Sequence, residues 1–324
     1  MQYRRLGTSG LKVSVLGLGT NTFGGRADKE TSIRVLHHAI HQGINFIDTA
    51  NVYTESRSEE IIGEAVQGRR HEVLIATKVG IRRGEGPNDA GASRAHILHE
   101  VENSLRRLRT DYIDLYQVHR FDNDTPLEET LSALDSLVQS GKVRYIGASN
   151  YAAWQLMKAL SISERQGMAK FVSIQPGYSL ADRGIEAELV PMCVDQGIGI
   201  IPYFPLAGGI LTGKYAGGVT PKGSRLESNP TFAERMDEKR MALSEAVVRV
   251  ASSIGTTATA LSIAWLMHRP AVSTVIAGVT REAQVDDNLL AVDLSLSGEV
   301  MRELDEVSEE FVHLPAFGSQ PKRK

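Results

Sequence analysis

The sequence has little cysteine and no long apolar run, and both shortages restrict what the chain can be. Cys193 is the only cysteine among 324 residues, so no internal disulfide can form. Its place in a helical pattern favours a packed apolar side chain over a nucleophile. No segment reaches the roughly 20 consecutive apolar residues of a membrane span, and the first residues lack the apolar core of a signal peptide. We therefore expect a cytoplasmic protein without a membrane partner.

The chain also lacks a strong excess of charge of either sign. Its 36 Lys and Arg residues against 39 Asp and Glu residues give a net charge of −3, which provides no basic field for nucleic acid. We interpret the one dense cationic run, Lys322-Arg323-Lys324, as a solvated tail. His37 and His41 lie one helical turn apart, but no carboxylate completes a zinc motif there. The expectation is therefore no nucleic-acid partner and no metal.

What the sequence does contain is a series of eight short apolar runs separated by amphipathic helical segments. Runs that are apolar on both faces are typical of parallel strands covered by helices. Eight alternations without a break in composition favour one closed (β/α)8 barrel, a TIM barrel of class α/β, although spacing alone does not exclude an open doubly wound sheet. The predicted strand runs are Val15–Gly19, Asn45–Ala50, Val73–Val79, Tyr112–His119, Val143–Asn150, Phe171–Gln175, Gly199–Pro205 and Ser273–Gly278.

Three segments lie outside this alternation within the single predicted domain, 1–324. Residues 1–14 read as a hairpin with Thr8-Ser9-Gly10 as its turn, and we expect it to plug one end of the barrel. Residues 206–236, after the seventh run, are rich in Gly, Pro and Ser. Long loops of this kind are often functional, so we predict that this one covers a cofactor. Residues 312–324 are interpreted as a tail.

Four ionisable residues end successive predicted strands, where a barrel of this kind has its active site. They are Asp48, Tyr53, Lys78 and His119. Each alone has an ordinary interpretation as a turn, solvent-exposed or near-surface residue, but all four together favour a catalytic site. A buried lysine beside an aspartate stays charged and lowers the pKa of a nearby phenol. Such a phenol suits carbonyl reduction, in which a proton must reach the oxygen as hydride reaches the carbon.

The segments around these residues resemble the aldo-keto reductase family, most closely the branch of bacterial general reductases and potassium-channel β subunits. The matching segments are 43–50 with Tyr53, 76–78, 114–119 and 146–150. The resemblance implies that Tyr53 is the general acid, that Lys78 and Asp48 tune its pKa, and that His119 orients the substrate. Many relatives have a proline near Asp122 that this chain lacks, which leaves the shape of the substrate-side loop open.

Two glycine-rich segments bear on the choice of cofactor. Gly17-Leu18-Gly19 lacks the third glycine of a Rossmann motif. Residues 208–214 imitate a P-loop, but Tyr215 stands where Ser or Thr would hold magnesium, so an NTPase is disfavoured. The same glycines suit a dinucleotide, because they let backbone N–H groups approach a pyrophosphate while Lys214 adds positive charge.

The family resemblance agrees with a dinucleotide and implies bound NADP(H). By resemblance, Tyr203 stacks on the nicotinamide, while Gln284 and Asn288 read the adenine. Gly278 leads into a helix whose N-terminus suits a phosphate, and Arg281 with Arg225 would pair with a 2′-phosphate, which favours NADPH over NADH. The full predicted cofactor set is Gly19, Thr20, Asp48, Ser149, Asn150, Gln175, Tyr203, Phe204, Pro205, Leu206, Gly208, Lys214, Arg225, Gly278, Thr280, Arg281, Gln284, Asp287 and Asn288.

These inferences together predict an NADPH-dependent oxidoreductase that reduces aldehydes or ketones to alcohols. Three alternatives stay open: a lyase using Lys78 as a Schiff base, a non-catalytic NADPH sensor or channel-type partner, and oxidation of a sugar or polyol. The partner is a small carbonyl compound, and the sequence does not decide between a monomer and a homo-oligomer. Arg82, Arg83 and Arg120 raise the hypothesis that the substrate is an anionic or phosphorylated aldehyde.

Overall fold

The structure, a computed structural model, describes residues 1–215 and 237–312 and begins with the expected hairpin. Strands β1 (Tyr3–Arg5) and β2 (Lys12–Ser14) pair antiparallel. Leu6, which follows β1, and Val13, in β2, are fully buried against the inner side chains of the barrel. Burial of these apolar groups stabilises the hairpin as a cover over the N-terminal end of the strands.

Eight parallel strands follow and form one sheet whose neighbours run in chain order. The sheet closes on itself because Ile200 N–H donates to Ala271 O and Ser273 N–H donates to Ile200 O. The predicted (β/α)8 barrel is thereby confirmed. The strands are β3 (Leu16–Gly19), β4 (Phe46–Asp48), β5 (Leu74–Val79), β6 (Ile113–Val118), β7 (Val143–Ser149), β8 (Phe171–Gln175), β9 (Gly199–Ile200) and β10 (Val275–Gly278).

The helices of the described residues surround this sheet and bury their apolar stripes against it. Several begin at residues whose side chains accept a hydrogen bond from the first turn, such as Asp28 from Thr31 N and Ser93 from His96 N. The helices are α1 (Lys29–His41), α2 (Arg57–Ala65), α3 (Arg94–Leu108), α4 (Leu127–Gln139), α5 (Ala153–Gln166), α6 (Leu189–Gln196), α7 (Glu238–Ser253), α8 (Ala258–Met267), α9 (Glu282–Leu289) and α10 (Gly298–Val307).

The seventh predicted strand is much shorter than its apolar run. Strand β9 ends at Ile200, whereas the run continues to Pro205. Pro202 and Pro205 have no N–H to donate to a neighbouring strand. Phe204 has a φ of 54°, a left-handed conformation that interrupts extended backbone. The prediction of a strand over 199–205 is therefore wrong beyond its first two residues.

Alternation along the strands builds the barrel interior in layers. Phe46, Ala76 and Leu115 point inward and share an apolar cluster with Ile201 and Ile276. Since the side-chain period of a strand is two residues, positions 48, 78 and 117 lie one layer further toward the C-terminal ends. These positions hold Asp, Lys and Gln. A polar layer therefore rests directly on an apolar one.

Two predictions about loops lie largely outside the described residues. Of the segment 206–236, the structure describes residues up to Tyr215, so its covering role and the position of Arg225 stay predictions, as does the tail beyond residue 312. Over residues 1–215 and 237–312, no single helix is long and apolar enough to cross a membrane. Helices α7 and α8 meet that test only as a pair bent by 91°.

Candidate active site

Lys78 is the centre of the polar layer at the C-terminal ends of the strands. Its side chain is fully buried, and its Nζ donates to both oxygens of Asp48 at 2.8 Å and to Thr49 O at 2.8 Å. The same Nζ lies 3.1 Å from Tyr53 Oη. These acceptors account for the hydrogens of an ammonium group. The structure thus brings Asp48 and Tyr53, both predicted from the strand ends, into contact with Lys78.

The charge of Lys78 is maintained by the buried carboxylate beside it. Burial opposes that charge, but the electrostatic attraction of Asp48 and the hydrogen bonds to Asp48 and Tyr53 raise the pKa of Lys78 above its ordinary value. A permanently protonated, fully enclosed amine is a poor nucleophile. The Schiff-base lyase therefore finds no support in the environment of Lys78.

Two glutamines complete the hydrogen bonding of Asp48. Gln175 Nε2 donates to Asp48 Oδ1 at 2.7 Å, and Gln117 Nε2 donates to the same oxygen at 3.5 Å. Gln117 Oε1 in turn accepts from Gln175 Nε2 at 3.3 Å. Together with Lys78, this network holds the carboxylate in place.

Tyr53 reaches the site because the chain reverses sharply after it. Thr54, Glu55 and Ser56 have φ values of 48°, 59° and 74°, three consecutive left-handed residues that are not glycine. Each costs on the order of 1 kcal/mol relative to ordinary backbone. Thr54 Oγ1 donates to Phe23 O and Ser56 Oγ donates to Asn51 O, and these bonds hold the turn.

The pKa of Tyr53 differs from the expected direction. Burial raises the pKa of the phenol above its ordinary value, and the nearby Asp48 charge adds to the rise, although the Lys78 ammonium acts to lower it. The expectation of a lowered phenol pKa is therefore correct about the influence of Lys78 and wrong about the net result. Consequently Tyr53 carries its proton throughout the neutral pH range.

His119 lines the same cavity as Tyr53. Its ring centroid lies 5.9 Å from that of Tyr53 in an edge-on arrangement. The pKa of His119 lies well below its usual value because burial disfavours imidazolium, and the charges of Lys78 and Arg120 add to this effect. Among the described residues its Nδ1 is buried without a hydrogen-bond partner. His119 is thus a neutral hydrogen-bonding group beside the phenol.

A cavity of about 410 Å³ opens over these side chains. Asp48, Tyr53 and His119 line it, whereas Lys78 lies behind them. The Aldo/keto reductase family profile matches residues 15–309 of this sequence. This chain belongs to the aldo/keto reductase family. The expected family is confirmed, and such reductases generally bind NAD(P)H.

Named relatives align with this aldo/keto reductase over nearly their whole length. A probable voltage-gated potassium channel subunit beta of Arabidopsis thaliana is 40% identical over 91% of this chain and 92% of its own. The uncharacterized oxidoreductase YrpG of Bacillus subtilis (strain 168) is 38% identical over 95% and 96%. Versiconal hemiacetal acetate reductase of Aspergillus parasiticus is 35% identical over 94% and 92%. The family and its relatives support an oxidoreductase.

Most residues predicted to hold the cofactor line the cavity of this reductase. The residues that share this location come from the ends of five strands and from the glycine-rich segment after β9. Ser149 and Asn150 are joined there to Tyr203, whose hydroxyl donates to Asn150 Oδ1 at 2.8 Å. The lining residues that sequence predicted are Gly19, Thr20, Asp48, Ser149, Asn150, Gln175, Tyr203, Phe204, Pro205, Leu206, Gly208, Lys214, Gly278, Thr280 and Gln284.

Four predicted cofactor residues are not among the lining residues. Arg281 and Asp287 are exposed at helix α9, and Asn288 is buried in it. Arg225 lies outside the described residues. Gln284 lines the cavity but its Oε1 accepts from Thr280 N at 2.7 Å, so one of the N–H groups expected to face a phosphate is already paired.

Sequence reasoning missed several residues of the site. Gln117 is fully buried inside an apolar run, so the sequence alone suggests a core position. Its pairing opposite Lys78 in the neighbouring strand shows that it belongs to the site. Asn21, Thr22 and Arg26 line the cavity from the loop after β3, where no motif distinguishes them. Gly209 lies in the glycine-rich segment that was assigned to the cofactor, and the structure adds it to the wall.

A buried charged network behind the site was also missed. Glu59 is fully buried and accepts from Thr77 Oγ1 and from Arg107 Nε, both at 2.6 Å. Asn51 Nδ2 donates to Glu100 Oε2 at 2.7 Å, and Arg107 also lies 3.6 Å from that carboxylate. Thr77 precedes Lys78 and Asn51 begins the approach to Tyr53. The network therefore ties helices α2 and α3 to both partners of the phenol–ammonium pair.

The low pKa of His119 predicts how stability depends on pH. We expect the free energy of unfolding to fall as pH drops below about 6.5, because the unfolded chain takes up a proton that the folded chain excludes. Above that pH neither state is protonated at His119 and its contribution is constant. The slope from this one group approaches about 1.4 kcal/mol per pH unit.

Urea denaturation between about pH 5 and 8 tests this dependence in wild type and His119→Asn. His41→Asn, a change at an exposed position on helix α1, serves as the control and should keep the wild-type slope. If His119→Asn has the same slope as wild type, His119 is not excluded from protonation in the folded state.

Proposed function

We propose that this aldo/keto reductase uses NADPH to reduce aldehydes or ketones to alcohols, with Tyr53 as the general acid. The observation that carries the proposal is the Tyr53 hydroxyl at the cavity wall, 3.1 Å from the Lys78 ammonium and beside His119. When bound, NADPH supplies a hydride to the carbonyl carbon. The proposal gives the protein a small carbonyl compound as its partner and the cytoplasm as its location.

Tyr53 supplies the proton in this proposal. As a C–H bond forms at the carbonyl carbon, negative charge develops on the oxygen, and the phenol O–H donates its proton there. The phenolate left behind accepts a hydrogen bond from the Lys78 ammonium, which stabilises it, and it regains a proton from solvent. Because the phenol is protonated at neutral pH, Lys78 acts mainly on the phenolate rather than on the resting acid.

His119 orients the substrate in the same scheme. A neutral imidazole offers one N–H donor, and the low pKa of His119 keeps it neutral. Its donation to the carbonyl oxygen would place that oxygen between the imidazole and the phenol. Asp48 does not touch the substrate in this account; it keeps Lys78 charged.

The backbone of the segment after β9 supports the proposal of a phosphate-bearing cofactor. Phe204, Ala207, Gly208, Gly209 and Gly213 all have positive φ values, so the backbone curls around the cavity. A Cβ built on Gly209 would lie 2.7 Å from Lys214 Nζ. The glycine thus leaves the space that the lysine occupies at the wall. A cation beside exposed backbone suits a pyrophosphate. The preference for NADPH rests on the exposed Arg281 and on Arg225, which we propose as the 2′-phosphate contacts.

Filling that space predicts weaker cofactor binding. Gly209→Ala should raise the Kd for NADPH about tenfold, because the added methyl group displaces the Lys214 ammonium from the wall. Isothermal titration calorimetry of the protein with NADPH measures this change in Kd directly. The readout does not depend on turnover.

A substitution at a second glycine with positive φ serves as the control for Gly209→Ala. It separates the effect of backbone strain from the effect of displacing Lys214. Gly68 has a φ of 77°, and nothing lies within 4 Å of a Cβ built on it. Gly68→Ala should lower the free energy of unfolding by about 1 kcal/mol through backbone strain alone. It should leave the Kd for NADPH unchanged. Equal affinities in Gly209→Ala and wild type would remove Lys214 and Gly209 from the cofactor site.

The proposed reaction is tested by isotope transfer. We expect NADPH carrying deuterium at nicotinamide C4 to yield an alcohol with deuterium on the former carbonyl carbon when 4-nitrobenzaldehyde is the substrate, and NADH to react more slowly. Tight NADPH binding without turnover of any carbonyl tried would favour the sensor. Activity confined to alcohols with NADP⁺ would favour the oxidative direction. Substrate trapped on Lys78 by borohydride, with no nucleotide needed, would overturn the proposal.

A further inference from the structure

Arg120 places a positive charge at the wall of the cavity. It follows His119, is exposed, and lines the same cavity as Tyr53. Within residues 1–215 and 237–312 its guanidinium has neither an ion pair nor a hydrogen bond. Burial is the main cause of the low pKa of His119, but the charge of Arg120 contributes, so the guanidinium acts at the point where substrate would bind.

The carboxylate nearest in sequence does not neutralise Arg120. Asp122 Oδ2 accepts from Ala92 N at 2.7 Å and from Thr125 Oγ1 at 2.6 Å. Its Oδ1 accepts from Asp124 N at 3.0 Å. The carboxylate of Asp122 therefore accepts hydrogen bonds from two loops and does not pair with the guanidinium of Arg120.

The other charged residues of the cavity wall leave it with an excess of positive charge. Among the described lining residues Asp48 is the only carboxylate, and Lys78 pairs with it. Lys214 belongs to the glycine-rich segment that we assign to the cofactor. The other two cations of the described wall are Arg26, from the loop after β3, and Arg120, which is the one adjacent in the chain to His119.

The structure also separates Arg120 from the two other arginines of the original hypothesis. Arg82 Nη1 donates to Gly84 O and Gly86 O, at 3.2 and 2.9 Å, and so stabilises its own loop. Neither Arg82 nor Arg83 is among the residues that line the cavity. Of the three, only Arg120 is placed to meet a substrate.

We propose that Arg120 makes this site selective for carbonyl compounds that carry an anionic group, a carboxylate or a phosphate, a few bonds from the reacting carbonyl. The proposal rests on the reductase function argued above and names its substrate class. Guanidinium binds both groups through paired N–H donors, and such charge-assisted hydrogen bonds are stronger than neutral ones. The anion would lie on Arg120 while the carbonyl oxygen meets Tyr53 and His119.

Substrates of the same shape and different charge test the proposal. For wild type with NADPH we expect kcat/KM for 4-formylbenzoate to exceed that for its methyl ester by about tenfold or more. 4-Formylphenyl phosphate shows whether the site favours carboxylate or phosphate. Arg120→Gln should bring the acid-to-ester ratio close to one. Arg120→Glu should invert the preference, so that 4-(trimethylammonio)benzaldehyde becomes better than the acid.

Arg82→Gln is the matched control, because it removes an arginine of the neighbouring loop that does not line the cavity. Its acid-to-ester ratio should equal that of wild type. Equal turnover of acid and ester by wild type, or an acid-to-ester ratio that survives in Arg120→Gln, overturns the selectivity and leaves the reductase function standing.

A binding measurement keeps the proposal testable without turnover. Calorimetry on Tyr53→Phe with NADPH present compares the Kd of 4-formylbenzoate with that of the ester, with and without Arg120→Gln. We expect about tenfold tighter binding of the acid only where Arg120 is present. If the wild-type protein turns over none of these aldehydes while this binding difference is present, the reductase function is contradicted and the anion site is supported. Equal binding of acid and ester would refute the anion site.

Discussion

Replacing Tyr53 with phenylalanine is expected to lower kcat/KM for aldehyde reduction about 10³-fold. The change removes one hydroxyl, which lies 3.1 Å from Lys78 Nζ at the cavity wall, and keeps the ring that packs edge-on to His119. Without that hydroxyl no described side chain beside the cavity has a proton in the same position. Steady-state kinetics with NADPH and 4-nitrobenzaldehyde measure the loss.

Tyr145→Phe is the control for this substitution. Tyr145 lies on β7 and packs against the apolar cluster near the N-terminal hairpin, away from the polar layer. Its loss of a hydroxyl should leave kcat/KM at the wild-type value. Wild-type kcat/KM in Tyr53→Phe would falsify the assignment of the general acid, whatever the family.

Replacing Lys78 with methionine is expected to have the largest effect on stability. Lys78 is fully buried and donates to both oxygens of Asp48, which is itself only 4% exposed. Its removal leaves a buried carboxylate without a counter-charge, at a cost of about 3–5 kcal/mol in the free energy of unfolding. Reduction should be lost as well, because nothing would stabilise the Tyr53 phenolate.

The double variant Lys78→Met with Asp48→Asn separates these two effects. With the carboxylate neutralised, much of the lost stability should return, while activity stays absent. Chemical denaturation and steady-state kinetics on the two single variants and the double variant complete the cycle. If Lys78→Met alone unfolds at the wild-type denaturant concentration, the buried ion pair does not have the energetic role assigned to it.

Much of the fold could be predicted because its information is local. A run such as Val73–Val79 is apolar on both faces, and that pattern is required of any strand covered by helices and facing a filled interior. The boundary of β9 could not be predicted in the same way. Its run is as apolar as the others, and the strand ends early because two prolines and the left-handed Phe204 prevent regular pairing.

Some residues of the candidate site could be predicted from local sequence, and others could not. Asp48, Tyr53, Lys78 and His119 were predictable because strand ends of a barrel converge, so successive ends with ionisable residues imply a cluster. Gln117 and the Glu59–Arg107–Glu100 network were not. Gln117 lies 69 positions from Asp48, Glu59 lies 48 from Arg107, and Glu100 lies 49 from Asn51. Each residue alone reads as an ordinary core or helix-surface position.

The order of strands and helices, the family, and the residues that meet at the strand ends were determined by the sequence alone, since periodicity and motif spacing are properties of neighbouring residues. Only the tertiary structure decided that the pKa of Tyr53 is raised and that Arg120, rather than Arg82 or Arg83, lines the cavity. The physical reason is that burial and the pairing of charges depend on atoms brought together from distant parts of the chain.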